Sequence, residues 1–317
     1  MGVPGVVGEG VGGVEVWRGG VNPWQCDQMG HLNVRFYVAH AMEGLTGLAA
    51  ALGMARAFSP AGVSTVVVRE HHIRFLKEAR VGDALYMTAG VLELGEDHAC
   101  LLQTLYHALT GEPSAVFQTR IVHARSGDAE PFGWSSAVRE RAAALAVTIP
   151  AGLEARSLVP GEGGLGAGGV DQADAMGLER FGAGAFGPHE CDAFGRVAAH
   201  HVMGRISDGA AQAIAGARQA VTGASPDAHP IGLAVVEYRL AYLAWPRAGD
   251  RYDMRSGLRF AQPRRLSWTH WMLDPESRRP TAVADGILVP FDLEARKTIT
   301  LPDRALEALK GSVVEGL

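Results

Sequence analysis

The feature that most constrains this chain is that it repeats itself. Residues 68–122 align without a gap on residues 235–289 at an offset of 167, with identities that include Glu70 with Glu237, Gly82-Asp83 with Gly249-Asp250 and Ala115-Val116 with Ala282-Val283. Earlier in each copy, Cys26-Asp27-Gln28-Met29-Gly30 matches Cys191-Asp192-Ala193-Phe194-Gly195 at an offset of 165. The two-residue difference falls in a helix and loop, where length changes are tolerated. One architecture therefore occurs twice, and 317 residues are comfortable for two domains that each bury a core.

Each copy has the same order of elements. A strand over 14–22 (179–187 in the second copy) leads into the Cys-Asp loop, and a helix follows over 34–52 (200–221). In the first helix Val38, Ala41, Leu45, Leu48 and Leu52 recur at spacings of three and four, so one face is buried. Extended segments at 66–76, 84–94, 99–109 and 114–123 then succeed one another, with turns at Gly82-Asp83 and Gly111-Glu112-Pro113. One long helix followed by an antiparallel meander is an α+β unit in which the sheet covers the helix. The expected domains are 1–148 and 176–317. A Gly-rich linker at 149–175 joins them, preceded by a surface helix over 135–146. Two G-x-G-x-x-G matches, at Gly8-Gly10-Gly13 and Gly161-Gly163-Gly166, lack the strand before and helix after that dinucleotide binding requires.

Composition narrows the partners. The net charge is −5 and no basic run exists, which excludes a nucleic-acid or anionic-membrane surface as the expected partner. Arg264-Arg265 and Arg278-Arg279 read as solvated pairs. Three cysteines, Cys26, Cys100 and Cys191, make no disulfide framework, and with no signal peptide or ~20-residue apolar span the expected location is the cytoplasm.

The segment Asp27-Gln28-Met29-Gly30-His31-Leu32-Asn33-Val34-Arg35-Phe36-Tyr37 resembles the D-x-x-G-H-x-N-x-x-x-Y signature of the hotdog thioesterases related to 4-hydroxybenzoyl-CoA thioesterase. Residues 70–83 resemble that family's second strand and turn. The resemblance covers most of 14–125 and, more faintly, 178–292. It implies two tandem hotdog domains, paired so that thioester sites form between them, and hydrolysis of an acyl-CoA or acyl-ACP without a cofactor. It also implies that the second copy walls the site held by Asp27, and a homodimer of the two-domain chain is a further expectation.

Elementary chemistry supports that reading. The first amides of a helix lack internal partners and carry partial positive charge, so they can stabilise a thioester oxyanion, with Gly30 allowing close approach. Asp27 would activate water or attack the carbonyl itself. Asn33 would position the water or the carboxylate, and His31 would orient the loop or polarise the thioester. Tyr37, Glu70 and His72 are candidate substrate contacts, although core packing explains Tyr37 and an edge or salt-bridged position explains Glu70 as simply. An Asp ahead of a helix is ordinarily a cap, and only its G-H-x-N company argues otherwise. The second copy has Gly195-Arg196-Val197-Ala198 where the first has Gly30-His31-Leu32-Asn33, so its site reads as degenerate. There Arg196 would pair with Asp192 or bind a CoA phosphate.

Cys26 beside Asp27 suggests a thiol nucleophile, but Cys191 recurs in the copy that lost the other polar residues, so both read as small filler. His189, Cys191, His200 and His201 lack a compact ligand spacing, and no metal is expected. The rival functions are a hotdog hydratase or dehydratase, whose usual histidine-carboxylate arrangement is not legible here, and a non-catalytic acyl-CoA-binding module.

Overall fold

The protein is described by a computed structural model covering residues 13–161, 166–223 and 231–317. The first copy runs β1 (Val14–Gly20), α1 (Val34–Ala51), β2 (Ser64–Phe75), β3 (Ala84–Leu94), β4 (His98–His107), β5 (Pro113–Arg125) and α2 (Ser136–Ala144). After α3 (Val170–Ala175), the second runs β6 (Glu179–Ala185), α4 (Ala199–Ala213), α5 (Ala215–Gly223), β7 (Ile231–Tyr242), β8 (Arg251–Gln262), β9 (Arg265–Leu273), β10 (Pro280–Asp292), a short β11 (Lys297–Thr298) and α6 (Asp303–Lys310).

All the strands form one continuous antiparallel sheet in the order β1-β3-β4-β5-β2-β7-β10-β9-β8-β6, with β11 on β10. The copies meet where β2 pairs with β7. At the centre of that pairing His72 lies opposite Arg239, its own counterpart at the offset of 167, so a pseudo-twofold axis passes through the seam. Helices α1 and α4 pack against each other on one face of the sheet. Tyr37, Val38, Ala41, Leu45 and Leu48 of α1 join Val202, Met203 and Ile206 of α4 in a single core shared by both copies. Each helix thus covers its own sheet and its sibling, which leaves neither half with a complete core of its own.

The other face of the seam carries charge. Strand alternation sends His71 and Ile73 towards the helices and Glu70, His72 and Arg74 away from them. Glu70 accepts from Arg239 Nη2 at 2.8 Å, and Glu237 meets His72 Nε2 at 2.7 Å, each pair crossing from one copy to the other. The segment after α2 closes over them. Amides of Arg156, Ser157 and Leu158 donate to Glu237, Gly161 N donates to Glu70, and Arg74 donates to the Gly152 and Glu154 carbonyls. The expected flexible linker is corrected over 150–161: it is a strap, because its amides satisfy carboxylates that would otherwise be buried without enough donors. Residues 162–165 of that linker, and the glycines Gly8 and Gly10, lie outside the described residues.

Two other expectations change. The second helix, expected as one piece over 200–221, breaks at Ile214 because its halves face different partners. Val202, Met203 and Ile206 face the shared core, whereas Ala217 and Val221 pack in a separate cluster with Leu306 and Leu309 of α6. The repeat also reaches further than sequence identity showed. The Val147 amide donates to the Val91 carbonyl after α2, and the Val314 amide to the Leu258 carbonyl after α6, the same bond at the offset of 167.

Candidate active site

Asp27 closes a tight turn. Its Oδ1 accepts from Met29 N at 2.8 Å and His31 N at 3.1 Å, and its own amide donates to the His31 carbonyl. Such a turn needs a left-handed residue, which Gly30 supplies at φ +76°. The second copy repeats it: Asp192 Oδ1 accepts from Phe194 N at 2.8 Å and Arg196 N at 3.0 Å, with Gly195 at φ +75°. The carboxylates differ in their second oxygen. Asp27 is exposed and its Oδ2 takes no hydrogen bond among the described residues, whereas Asp192 Oδ2 is held by Arg196, Nη2 at 3.0 Å and Nε at 3.1 Å.

From each turn a helix starts at the inter-copy boundary, where it meets the middle of the other helix. At the α1 end, Asn33 caps the helix by accepting from Arg35 N at 2.9 Å, and Ser207 of α4 donates to the same oxygen at 3.0 Å. Arg35 continues the bridge to His201 Nδ1 at 2.9 Å, with Glu190 Oε1 3.3 Å from that nitrogen and Arg205 paired to Glu190. Hydrogen bonds and charge fill this boundary. His31 lies to one side, Nε2 3.2 Å from Glu78.

At the α4 end none of the described residues plays those parts. Ala198 occupies the cap position and no side chain among the described residues caps the helix, so its first-turn amides lack the partner that Asn33 gives α1. Met42 stands where Ser207 stands at the other boundary, and Phe36 where His201 stands. What remains is a cavity of about 410 Å³, with Phe36, Met42, Phe58, Val66, Val197 and Trp245 among its walls. Its polar rim is Gln25, His40, Glu43, Asp192, Arg196 and His200. Burial, then the charges of neighbouring His201 and Arg35, push His200 down to about 4, so it is neutral near pH 7.

The other sequence candidates lie apart from both boundaries. Tyr37 is buried, its hydroxyl 3.2 Å from Ser114 Oγ and accepting from Ala79 N at 3.3 Å, a bridge from α1 to the start of β5 and the loop that follows β2. Glu70 and His72 belong to the strapped seam on the opposite face of the sheet. Cys26 and Cys191 occupy matched positions with Sγ directed at the Asn22 and Gly187 carbonyls, and burial followed by the Asp27 charge raises the Cys26 thiol, which disfavours a thiolate. The residues that sequence reasoning missed are His40 and Glu43. Their only signal was an i, i+3 histidine-carboxylate pair beside the apolar stripe of α1, a spacing common on solvated helices.

A model of the thioesterase-like superfamily matches residues 21–142 and again 186–309. No curated protein matches the sequence. Among solved structures, the 12:0-ACP thioesterase from Umbellularia californica is similar over 86% of this chain and 93% of its own, with a TM-score of 0.62 at 11% identity. An acyl-ACP thioesterase from Bacteroides thetaiotaomicron is similar over 86% of this chain and 96% of its own, with a TM-score of 0.59 at 11% identity. At such identities the likeness is one of fold, and the fold is the expected pair of tandem hotdog domains.

Proposed function

The chain belongs to the thioesterase-like superfamily, and from that premise we propose that it hydrolyses an acyl thioester to a carboxylic acid and a free thiol in the cavity at the start of α4. The observation that carries this placement is an apolar cavity ending on uncapped helix amides. The acyl group lies against Phe36, Met42, Phe58 and Trp245, and its carbonyl oxygen turns towards the Ala199 and His200 amides. Those dipoles are fixed before the reaction begins, so they stabilise the oxyanion without reorganisation. About 410 Å³ is near the lower end of ligand pockets (~300–1,000 Å³), which favours a short to medium acyl group over a long one. The carrier is CoA or an acyl carrier protein, the second supported by the carriers named for the similar structures.

A second placement rests on a different observation. Asp27 has an unoccupied carboxylate oxygen, and its G-H-x-N company is that of the family signature. Here Asp27 is the base or nucleophile, with His31 and Asn33 positioning the thioester. It requires the Asn33 cap to leave Arg35 N, because that bond occupies the α1 amide an oxyanion would need, and Ser207 holds the cap in place. Thiol release from a panel of acyl-CoAs and acyl-ACPs tests the activity itself. Hydration of an enoyl-CoA without thiol release would replace it with the hydratase reading, and tight binding without turnover would replace it with the binding module. Comparing Asp192→Asn with Asp27→Asn on the best substrate separates the two placements.

A further inference from the structure

The strapped face of the sheet carries a second and larger cavity, of about 810 Å³. Four arginines line it: Arg74 near the end of β2, Arg156 on the strap, and Arg264 and Arg265 at the β8–β9 turn. In the sequence only the last two are neighbours, and they read there as a solvated pair. Phe75, Leu76, Val236, Ile287 and Val289 supply an apolar wall. Val68 at the thioester cavity and Arg74 at this one lie six residues apart on β2, about 20 Å at ~3.3 Å per residue. A ligand here therefore does not touch the thioester carbonyl.

The charge of this cavity is not balanced from within. Its carboxylate, Glu237, already accepts from His72 and from the amides of Arg156, Ser157 and Leu158. Arg74 is 7% exposed, and its Nη1 donates to two neutral acceptors, the Gly152 and Glu154 carbonyls. Its Nε and Nη2 make no hydrogen bond among the described residues and are not sealed from solvent, which leaves two donors at the cavity that Arg74 lines. Burial first, then the like charge of Arg156, lower the Arg74 pKa against the weaker pull of Glu237 and Glu154. Arg265 donates to the neutral Ser157 and Gln262 side chains, and the exposed Arg156 and Arg264 side chains make no ion pair or hydrogen bond among the described residues. The duplication supplies a control. Where the second copy has Gln262-Pro263-Arg264-Arg265 the first has Gly95-Glu96-Asp97-His98, and the position matching Arg74 holds Ala241. The positive charge thus belongs to one end of the seam and not to the repeated architecture.

We propose that this cavity binds an organic phosphate, a phosphate monoester carried on an apolar or aromatic body. A phosphate dianion has three acceptor oxygens and takes the forked donors of two or more guanidiniums, whereas a single carboxylate is satisfied by one. The apolar wall takes the body, and about 810 Å³ lies within the ~300–1,000 Å³ of ligand pockets. The site does not depend on where thioesters are cleaved, or on their cleavage.

The test is isothermal titration calorimetry of the full chain at about pH 7.5 and low salt, where the monoester is a dianion and screening is weak. The probes are adenosine 3′,5′-bisphosphate, dodecyl phosphate and inorganic phosphate. At least one organic phosphate binds, about tenfold or more tighter than inorganic phosphate, and the tighter of the two shows whether the source is a nucleotide or a lipid. Arg264→Glu and Arg156→Glu each weaken that binding about tenfold or more, the loss of one hydrogen bond to a charged group. Neither side chain has a partner in the fold, so both variants keep the wild-type thermal midpoint. Arg279→Glu makes the same charge change at an exposed arginine outside the cavity and weakens binding less than about twofold. Three results overturn the inference: no organic phosphate bound at about 1 mM, binding no tighter than that of inorganic phosphate, or Arg264→Glu weakened no more than Arg279→Glu.

Discussion

The two ends of the α1–α4 helix pair began as copies of one boundary and now differ in almost every polar contact. At the α1 end Asn33, Ser207, Arg35, His201, Glu190 and Arg205 form a continuous bridge from one copy to the other. At the α4 end the matching residues are Ala198, Met42, His200, Phe36, Gln25 and His40, and the space they leave is a cavity. The comparison teaches that a helix N-terminus serves either as a capped joint or as a site for an oxyanion, because the amides that donate to a capping side chain are those that would bind the ligand. A duplicated chain can use one end for cohesion and keep the other for chemistry.

The largest expected effect tests whether the two ends depend on each other at all. Glu237→Ala leaves His72 and three strap amides without their shared acceptor at the seam, and the expected loss is about 3–5 kcal/mol, read from the urea midpoint. Burial alone would raise the Glu237 carboxyl, but hydrogen bonds from His72 and the strap outweigh it and hold the pKa below the ordinary 4.5. The stability it contributes is therefore present above about pH 4.5 and is lost as pH falls through its lower folded value. An acid transition unchanged in Glu237→Gln would show that the seam does not couple the copies.

Next in size is making the two ends alike. Ala198→Asn with Met42→Ser copies the α1-end closure onto α4, supplies a cap of about 1 kcal/mol, and covers the oxyanion amides. Thiol release falls about 100-fold while thermal stability rises. A double variant that is more stable and fully active would separate the reaction from this helix end.

A smaller effect comes from the paired carboxylates. Asp192→Asn keeps the turn but loses the charge on Arg196 beside the cavity, and about a tenfold loss of turnover is expected, greater than the loss in Asp27→Asn. The reverse order, with Asp27→Asn about 100-fold impaired, would place the reaction at the α1 end. The smallest expected change is in Asn33→Ala, which removes the α1 cap and strands the Ser207 hydroxyl for about 1 kcal/mol of stability. No change in the midpoint would mean the bridge adds no cohesion.

What the sequence by itself determined is the part of the protein that is periodic or local. Repetition at fixed offsets, the three-and-four spacing in α1 and the turn signals between extended segments specify two α+β units, because side-chain direction follows directly from backbone period. The resemblance of residues 27–37 to the thioesterase signature implied that the units are hotdog domains. The Asp27 and Asp192 turns are not evident in the sequence, although each involves only five consecutive residues. Each Asp reads there as a helix cap, whereas its side chain closes the turn before the helix and Asn33 is the α1 cap. Whether either carboxylate faces a substrate is decided at a distance. Ser207 reaching Asn33, the strap settling on Glu70 and Glu237, and α6 repeating α2 all join residues far apart in the chain. So does the cavity over His40, whose walls come from both copies. A replacement such as Asn33 to Ala198 reads in sequence as loss of a site, yet in three dimensions it uncovers helix amides. Only the packing of α1 against α4 decides which of the two meanings it has.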